Sequence, residues 1–406
     1  IQDLRPAHGY RVQPGWPRAD PHTRGLDMEQ YAGVLALTLN QVRPVAELVG
    51  GALDDEALGP EDWQLLANYS WSQDRGQALG EDQPDQVLLQ LRDAAPPSDG
   101  RTRARLGLAA LAVWLRQPED ARDVALARTH LAQVEAILAD AELAADNLLL
   151  LAALGGDIVS LAEGPQQQRL QENLVALYRP AVEDVEGNLL NRASVLSGWA
   201  EVMAATLEDG ASLPSAAVDW GRRQSDAMVS ALDAYQVHAG INSLWGVYYD
   251  LGLEAEARRT LQVGIDRSRA PFYFMSGMGY IEREAGNGAA ALAWYRRAWE
   301  ATENPLDRAR WGSRYLQQVV QLAPEDAAEV ERAGGALMAD MLSQPQALAA
   351  YERSLQRLRT LLQDWAAESA DRQGIAGRVL AELEAQCAAA SNENESPGAC
   401  VESFET

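Results

Sequence analysis

Two consecutive stretches decide the fold: HAGINSLWGVYYDLGLEAEARRTLQVGIDRSRAP, His238 to Pro271, and FYFMSGMGYIEREAGNGAAALAWYRRAWEATENP, Phe272 to Pro305. Laid over one another without a gap, they repeat every 34 residues. Trp245 meets Gly279, Gly252 meets Gly286, Ala257 meets Ala291, Leu261 meets Tyr295, Gly264 meets Ala298 and Pro271 meets Pro305. Each copy reads as a helix, a glycine turn and a second helix, closed by proline. The small residues on the second helix mark where two helices pack closely, because a larger side chain would wedge them apart.

That is the tetratricopeptide scheme, and EAGNGAAALAWYRRAWE (Glu284 to Glu300) is its clearest copy. Gly277 and Gly279 fall inside a helix in this register, so they are packing positions and not a nucleotide loop. A third unit from Leu306 is weaker, and units before His238 are looser still. The helical signal extends outward in both directions. Tyr31, Val34, Leu35, Thr38 and Leu39 follow helical spacing and place one apolar stripe towards a partner helix. Proline followed by acids, as at Pro60-Glu61-Asp62, Pro118-Glu119-Asp120 and Pro324-Glu325-Asp326, predicts helix starts, since carboxylates face the positive end of the helix dipole. Gly100, Gly164, Gly210, Gly252 and Gly286 punctuate helix ends, and no alternating strand pattern of useful length occurs. The expectation is an all-α chain, an α-solenoid of antiparallel helix pairs. Its parts are an extended Pro/Gly-rich arm over 1–25, irregular helical pairs over 26–237, two tetratricopeptide-like repeats over 238–305, C-terminal helices over 306–390 and a tail over 391–406.

Composition removes whole classes of function. With 47% hydrophobic and 23% charged residues, the 406-residue chain has ample material for a core and does not look disordered. Asp and Glu number 59 against 34 basic residues, for a net charge of −25. Such a chain repels phosphate backbones and anionic lipid, so no nucleic-acid partner is expected. The longest apolar stretches, such as Ala144 to Gly155, contain Asp146 and are too short to span a bilayer. Every basic residue is arginine; lysine does not occur. There is therefore no Schiff-base lysine, no Walker-type lysine and no kinase-type lysine. A GC-rich coding bias or a saline habitat both explain arginine in place of lysine. The chain opens at Ile1 and not at methionine, as a processed product or partial chain would.

Few residues carry chemistry. The histidines, His8, His22, His130 and His238, lack metal-site spacing, and the acidic runs Asp54-Asp55-Glu56 and Glu81-Asp82 lack the spacing of a calcium loop. No cofactor motif, nucleophile elbow or phosphate-cradling loop is present, so no catalytic residue, metal or cofactor is assigned. Paired carboxylates acting on a sugar remain the enzymatic alternative, in keeping with 11 Trp and 12 Tyr against 3 Phe. The best binding candidates are aromatic: Trp245, Tyr248, Tyr249, Tyr273 and Tyr280, beside Phe272 and Phe274. Helical repeats present a concave face along the first helix of each pair, where aromatic rings recognise peptides with little entropy loss. The competing reading buries most of this cluster between repeats, as it does Trp294, Trp299 and Trp311. Cys387 and Cys400 are the only cysteines. They close a short polar loop after a helix ending near Gln386 and read as a structural disulfide worth about 3 kcal/mol. A redox-active pair and two free thiols are the other readings.

Three passages resemble the helical C-terminal region of secreted bacterial thioredoxin-family proteins. They are LDMEQYAGVLALTLNQVRPVAELV with GPEDWQLLANYSWSQD (Leu26 to Asp74), RSRAPFYFMSGMGYIEREAGNGAAALAWYRRAWEAT with RWGSRYLQQVVQLAPEDA, and the closing QCAAASNENESPGAC. The resemblance implies a periplasmic or otherwise exported bacterial protein, with the segment from Leu26 to Leu39 similar to the last helix of a thioredoxin domain. A Cys-x-x-Cys motif would lie upstream in that family. Here 25 residues precede Leu26 and none is cysteine, so this chain departs from the family where its redox chemistry resides. The resulting expectation is a non-catalytic exported scaffold for protein partners, an accessory subunit of a larger assembly. The alternative is the helical arm of a thiol–disulfide oxidoreductase whose redox domain lies outside the chain.

Overall fold

The computed structural model describes residues 45–54, 56–71, 78–79, 83–119, 122–207, 211–342 and 348–392, the side chains of 348–354, 356 and 382–392 excepted. The arm over 1–25 with His8 and His22, the stripe from Tyr31 to Leu39, the run Glu81-Asp82, Gly210 and Cys400 lie outside the described residues, as does the side chain of Cys387. Among the described residues there are 18 α-helices and no strand. The fold is all-α, as the periodicity predicts, with helix packing between neighbouring helices. The chain divides into two compact units.

The first unit holds the residues up to Leu232 together with Gly246–Leu253. Its first six helices are α1 (Val45–Leu53), α2 (Pro60–Asn68), α3 (Pro84–Ala94), α4 (Gly100–Trp114), α5 (Val124–Leu138) and α6 (Ala141–Asp146). Four more follow: α7 (Leu148–Leu161), α8 (Gly164–Glu183), α9 (Leu189–Ala204) and α10 (Ser215–Ala231). Short polar side chains start several of them by accepting the first free backbone N–H groups. Asp99 accepts from Thr102 N at 3.0 Å, Asp123 from Ala125 N at 2.9 Å and Asn188 from Leu190 N at 2.9 Å. The proline signal is right at Pro60, which opens α2. It misplaces the other two starts. The helix after Pro118 begins at Val124 and the one after Pro324 begins at Ala327, because Asp123 and Asp326 are the residues that cap them.

In this unit α7 and α9 pack backbone against backbone. A Cβ added at Gly198 would stand 2.3 Å from the Ala152 carbonyl oxygen and 2.7 Å from its Cα, so the two backbones touch. Around that contact Tyr178 and Trp199 are fully buried, and the Tyr178 hydroxyl donates to the Leu151 carbonyl at 2.6 Å.

The second unit holds Asp233–Trp245 and the chain from Glu254 onward. Helix α11 (Val237–Asp250) places its residues up to Trp245 here. It is followed by α12 (Glu254–Arg267), α13 (Phe272–Glu284), α14 (Gly288–Glu300), α15 (Pro305–Leu322), α16 (Ala327–Leu342), α17 (Leu348–Ala366) and α18 (Ala370–Asn392). Helix α18 runs past Gln386, so Cys387 stands within it and not after it. One continuous core joins α13 to α18 through Tyr295, Trp299, Trp311, Tyr315, Leu337 and Leu362.

The 34-residue register appears as repeated geometry at the turns. Gly252 and Gly286 have φ of +74° and +77°. After α11, Leu253 N bonds Tyr248 O and Gly252 N bonds Tyr249 O; after α13, Asn287 N bonds Glu282 O and Gly286 N bonds Arg283 O. Both are Schellman terminations, in which only glycine takes the left-handed position without strain. Gly277 and Gly279 are buried packing positions: a Cβ at Gly277 would lie 2.6 Å from the Leu261 side chain, and one at Gly279 would lie 3.0 Å from the Tyr295 ring.

These contacts separate one glycine from another. Gly198→Ala forces two backbones apart and lowers unfolding free energy by about 2–3 kcal/mol. Gly246→Ala, with nothing within 4 Å of its added Cβ, raises it by about 0.5–1 kcal/mol by favouring the helix. Urea denaturation followed by circular dichroism checks both; equal effects at the two sites would refute the packing account.

Candidate functional site

In the second unit, three helices carry a band of incompletely buried rings and cations. His238 and Trp245 stand on α11, Tyr273 and Tyr280 on α13, and Arg310 and Arg314 on α15. Residues separated by three, four or seven positions share a helix face, which is why each helix contributes two groups to one side. The His238 ring meets Tyr273 edge-on at 4.9 Å between centroids, and Trp245 meets Tyr280 at 6.1 Å. Tyr273 in turn meets Trp311 at 5.1 Å, edge to face. His238 Nδ1 lies 3.2 Å from Ser268 Oγ. Rings held edge-to-face in this way are fixed in place by their neighbours.

The arginines fall into two groups. Some are used to bind helix to helix. Arg296 reaches Glu329 at 2.8 Å and Arg308 reaches Asp340 at 2.9 Å, while Arg332 pairs with Glu329 within α16 at 2.5 Å. Glu329 also accepts from the Tyr315 hydroxyl. Hydrogen bonding from Arg332 leads the causes that hold the Glu329 carboxyl down at about 2, while burial leads those that push the Tyr315 hydroxyl up. The others pack on rings. Arg310 lies 5.4 Å from the Tyr273 ring centre and 5.6 Å from Trp311, and donates to the Tyr273 hydroxyl at 3.1 Å. Arg314 lies 5.7 Å from the Tyr295 ring and Arg297 4.2 Å from Trp294. Among the described residues, these three make no ion pair with a carboxylate.

Of the five aromatic candidates, Trp245, Tyr273 and Tyr280 come together here and are only partly buried. Tyr248 does not join them. It is 2% exposed, belongs to the first unit, and its hydroxyl donates to Asp226 at 2.6 Å. Tyr249 is partly buried and also belongs to the first unit. The groove-filling reading holds for Trp299 and Trp311, which are buried, while Trp294 and Trp245 keep part of their surface. By sequence His238 reads as an ordinary helix residue, and Arg310 and Arg314 are not singled out. The signal was there in PLDRARWGSRYLQQVVQL, where Arg308, Arg310 and Arg314 face the single acid Asp307 in a strongly acidic chain.

In the first unit the structure singles out two acids from the many. Burial, reinforced by Glu201, pushes the Asp250 carboxyl up to about 7. Burial also raises Glu201, with Asp157 adding to the effect and a 3.4 Å hydrogen bond from Ser197 opposing it. His130, an ordinary helix residue by sequence, sits in the core at 1% exposure against Trp114. Both its ring nitrogens lack a partner, and burial holds its pKa near 4.

His130 and Asp250 give stability opposite pH slopes. As pH falls from 6.5 to about 4, the unfolded chain protonates His130 and the folded one does not, so stability falls. The full penalty is on the order of 3 kcal/mol. As pH rises from 3.8 to about 7, the unfolded chain releases the Asp250 proton and the folded one retains it, so stability again falls. The two windows overlap between about 4 and 6.5, where the slopes oppose each other, so His130→Leu turns the thermal-midpoint profile downward with rising pH there and Asp250→Asn turns it upward; unchanged slopes would refute the assignment. Compared with known proteins, the sequence matches no protein-family model and no curated protein.

Proposed function

We propose that this chain is a helical-repeat scaffold that holds a protein partner on the face formed by Trp245, Tyr273, Tyr280 and the arginines beside them. One observation carries the reading. A helix that serves only the core buries its aromatic rings, yet here rings on successive helix pairs stay partly open, locked edge-to-face and flanked by cations. Tyrosine, tryptophan and arginine are the residues that dominate binding energy at protein interfaces, because they combine large contact area with few rotors to freeze.

The sequence resemblance supports an exported setting and a place in a larger assembly. It equally supports the closely related reading, in which the scaffold is the helical arm of a thioredoxin-like oxidoreductase whose redox domain lies outside this chain. A glycan enzyme is favoured by one separate observation, the carboxylates Glu201 and Asp250, both pushed above the usual carboxylate range by desolvation. That reading requires release of reducing sugar from a polysaccharide panel, abolished by Asp250→Asn; no release would end it.

The scaffold reading is tested by a photo-crosslinking amino acid placed at Tyr273, at Tyr280 and, as a control, at the exposed Val185. A partner of one defined mass should crosslink from the first two positions and not from the third. Tyr273→Ala with Tyr280→Ala should weaken that partner's affinity at least tenfold. Crosslinking from all three positions alike, or from none, would refute the reading.

A further inference from the structure

We infer that the partner presents an acidic segment in extended form to this face, with carboxylates two residues apart seated on Arg310 and Arg314. The inference rests on the binding role proposed for the face and adds the chemistry of what it binds.

Acids outnumber arginines by 59 to 34, yet not every arginine pairs with a carboxylate. Arg308 on the same helix does so with Asp340, and Arg296 on the preceding helix does so with Glu329. Arg310 and Arg314 do not. They face aromatic rings, which hold the guanidinium plane without neutralising its charge. Arg310 spends one N–H on the Tyr273 hydroxyl, and a guanidinium has five. The remaining donors form a fork suited to a carboxylate, and the ring beneath keeps that fork from swinging away.

Spacing narrows the ligand. Residues four apart on a helix rise about 6 Å along its axis. Same-face side chains two apart on an extended chain are about 6.6 Å apart. An extended Glu-x-Glu or Asp-x-Asp therefore meets both arginines at once, and a contiguous acidic pair, whose side chains point to opposite sides, does not. The strong net negative charge of the chain does not forbid such a ligand. At physiological salt the Debye length is about 8 Å, so distant acids are screened while paired groups in contact are not.

The test uses the full chain and fluorescence anisotropy of labelled decapeptides: one with glutamate at alternate positions, one with glutamine in their place and one with lysine. The alternating-glutamate peptide should bind at least tenfold more tightly than the other two. Arg310→Gln with Arg314→Gln should remove that advantage, while Arg297→Gln, on the neighbouring helix, should leave affinity within twofold. Circular dichroism on each variant should show unchanged helix content. Equal binding of the glutamate and glutamine peptides, no binding of any, or indifference to the double substitution would overturn the inference. If the crosslinks at Tyr273 and Tyr280 persist in that case, the scaffold reading stands without the acidic ligand. A variant ending at Asn392 should bind the peptide within twofold of the full chain. A tenfold gain would assign the face to Glu393 and Glu395 of this chain itself and overturn the proposal.

Discussion

Everything else in this molecule depends on how closely its helices approach one another. At Gly198 the backbones of α7 and α9 are in contact, with no space for a methyl group beside Ala152. At Gly277 and Gly279 the side chains of Leu261 and Tyr295 occupy the space where a Cβ would project. Interiors pack at nearly crystalline density, so one such contact fixes the angle and depth at which two helices meet. The Schellman turns at Gly252 and Gly286 then reverse the chain in the same way 34 residues apart. Close packing and a repeated turn together make helix pairs, with no strand among the described residues.

The same packing determines what is left over for the surface. Large rings fill the spaces that small residues leave: Tyr295, Trp299 and Tyr315 are buried, and Trp299 donates to Asp340 at 3.2 Å. Arginine, the only basic residue here, ties neighbouring helices through Glu329 and Asp340. Exposed ion pairs of this kind contribute little individually, but they account for where the carboxylates near α15 go. What distinguishes Arg310 and Arg314 is their place outside that network, Arg310 on Tyr273, which other rings hold, and Arg314 over the buried Tyr295.

Much of this was legible in the sequence, for definite reasons. A glycine at a helix C-terminus is a local necessity, so Gly252 and Gly286 announced the turns correctly. Small residues at period 34 announced the close contacts. Proline followed by acids was less reliable, because at Pro118 and Pro324 the capping is done by an aspartate a few residues later. Burial was hardest to read. Trp245 and Tyr248 are one turn apart with similar character, yet the first keeps part of its surface and the second lies in the core with its hydroxyl on Asp226. Nothing in the local pattern distinguishes them, because the difference comes from α10, which is remote in pattern and supplies the Asp226 acceptor. The isolation of Arg310 and Arg314 is a property of three-dimensional pairing as well. Sequence shows a basic helix in an acidic chain, but not which of its arginines finds a partner.

The account stands most directly on where a bound acidic segment protects the chain. Hydrogen–deuterium exchange of the full protein, with and without a saturating alternating-glutamate decapeptide, reads this out residue range by residue range. The account predicts slowed exchange in the first turns of α13 and α15, around Tyr273 and Arg310, and no change in α7 or α9. Protection confined to α7 and α9, or no protection anywhere, would contradict it.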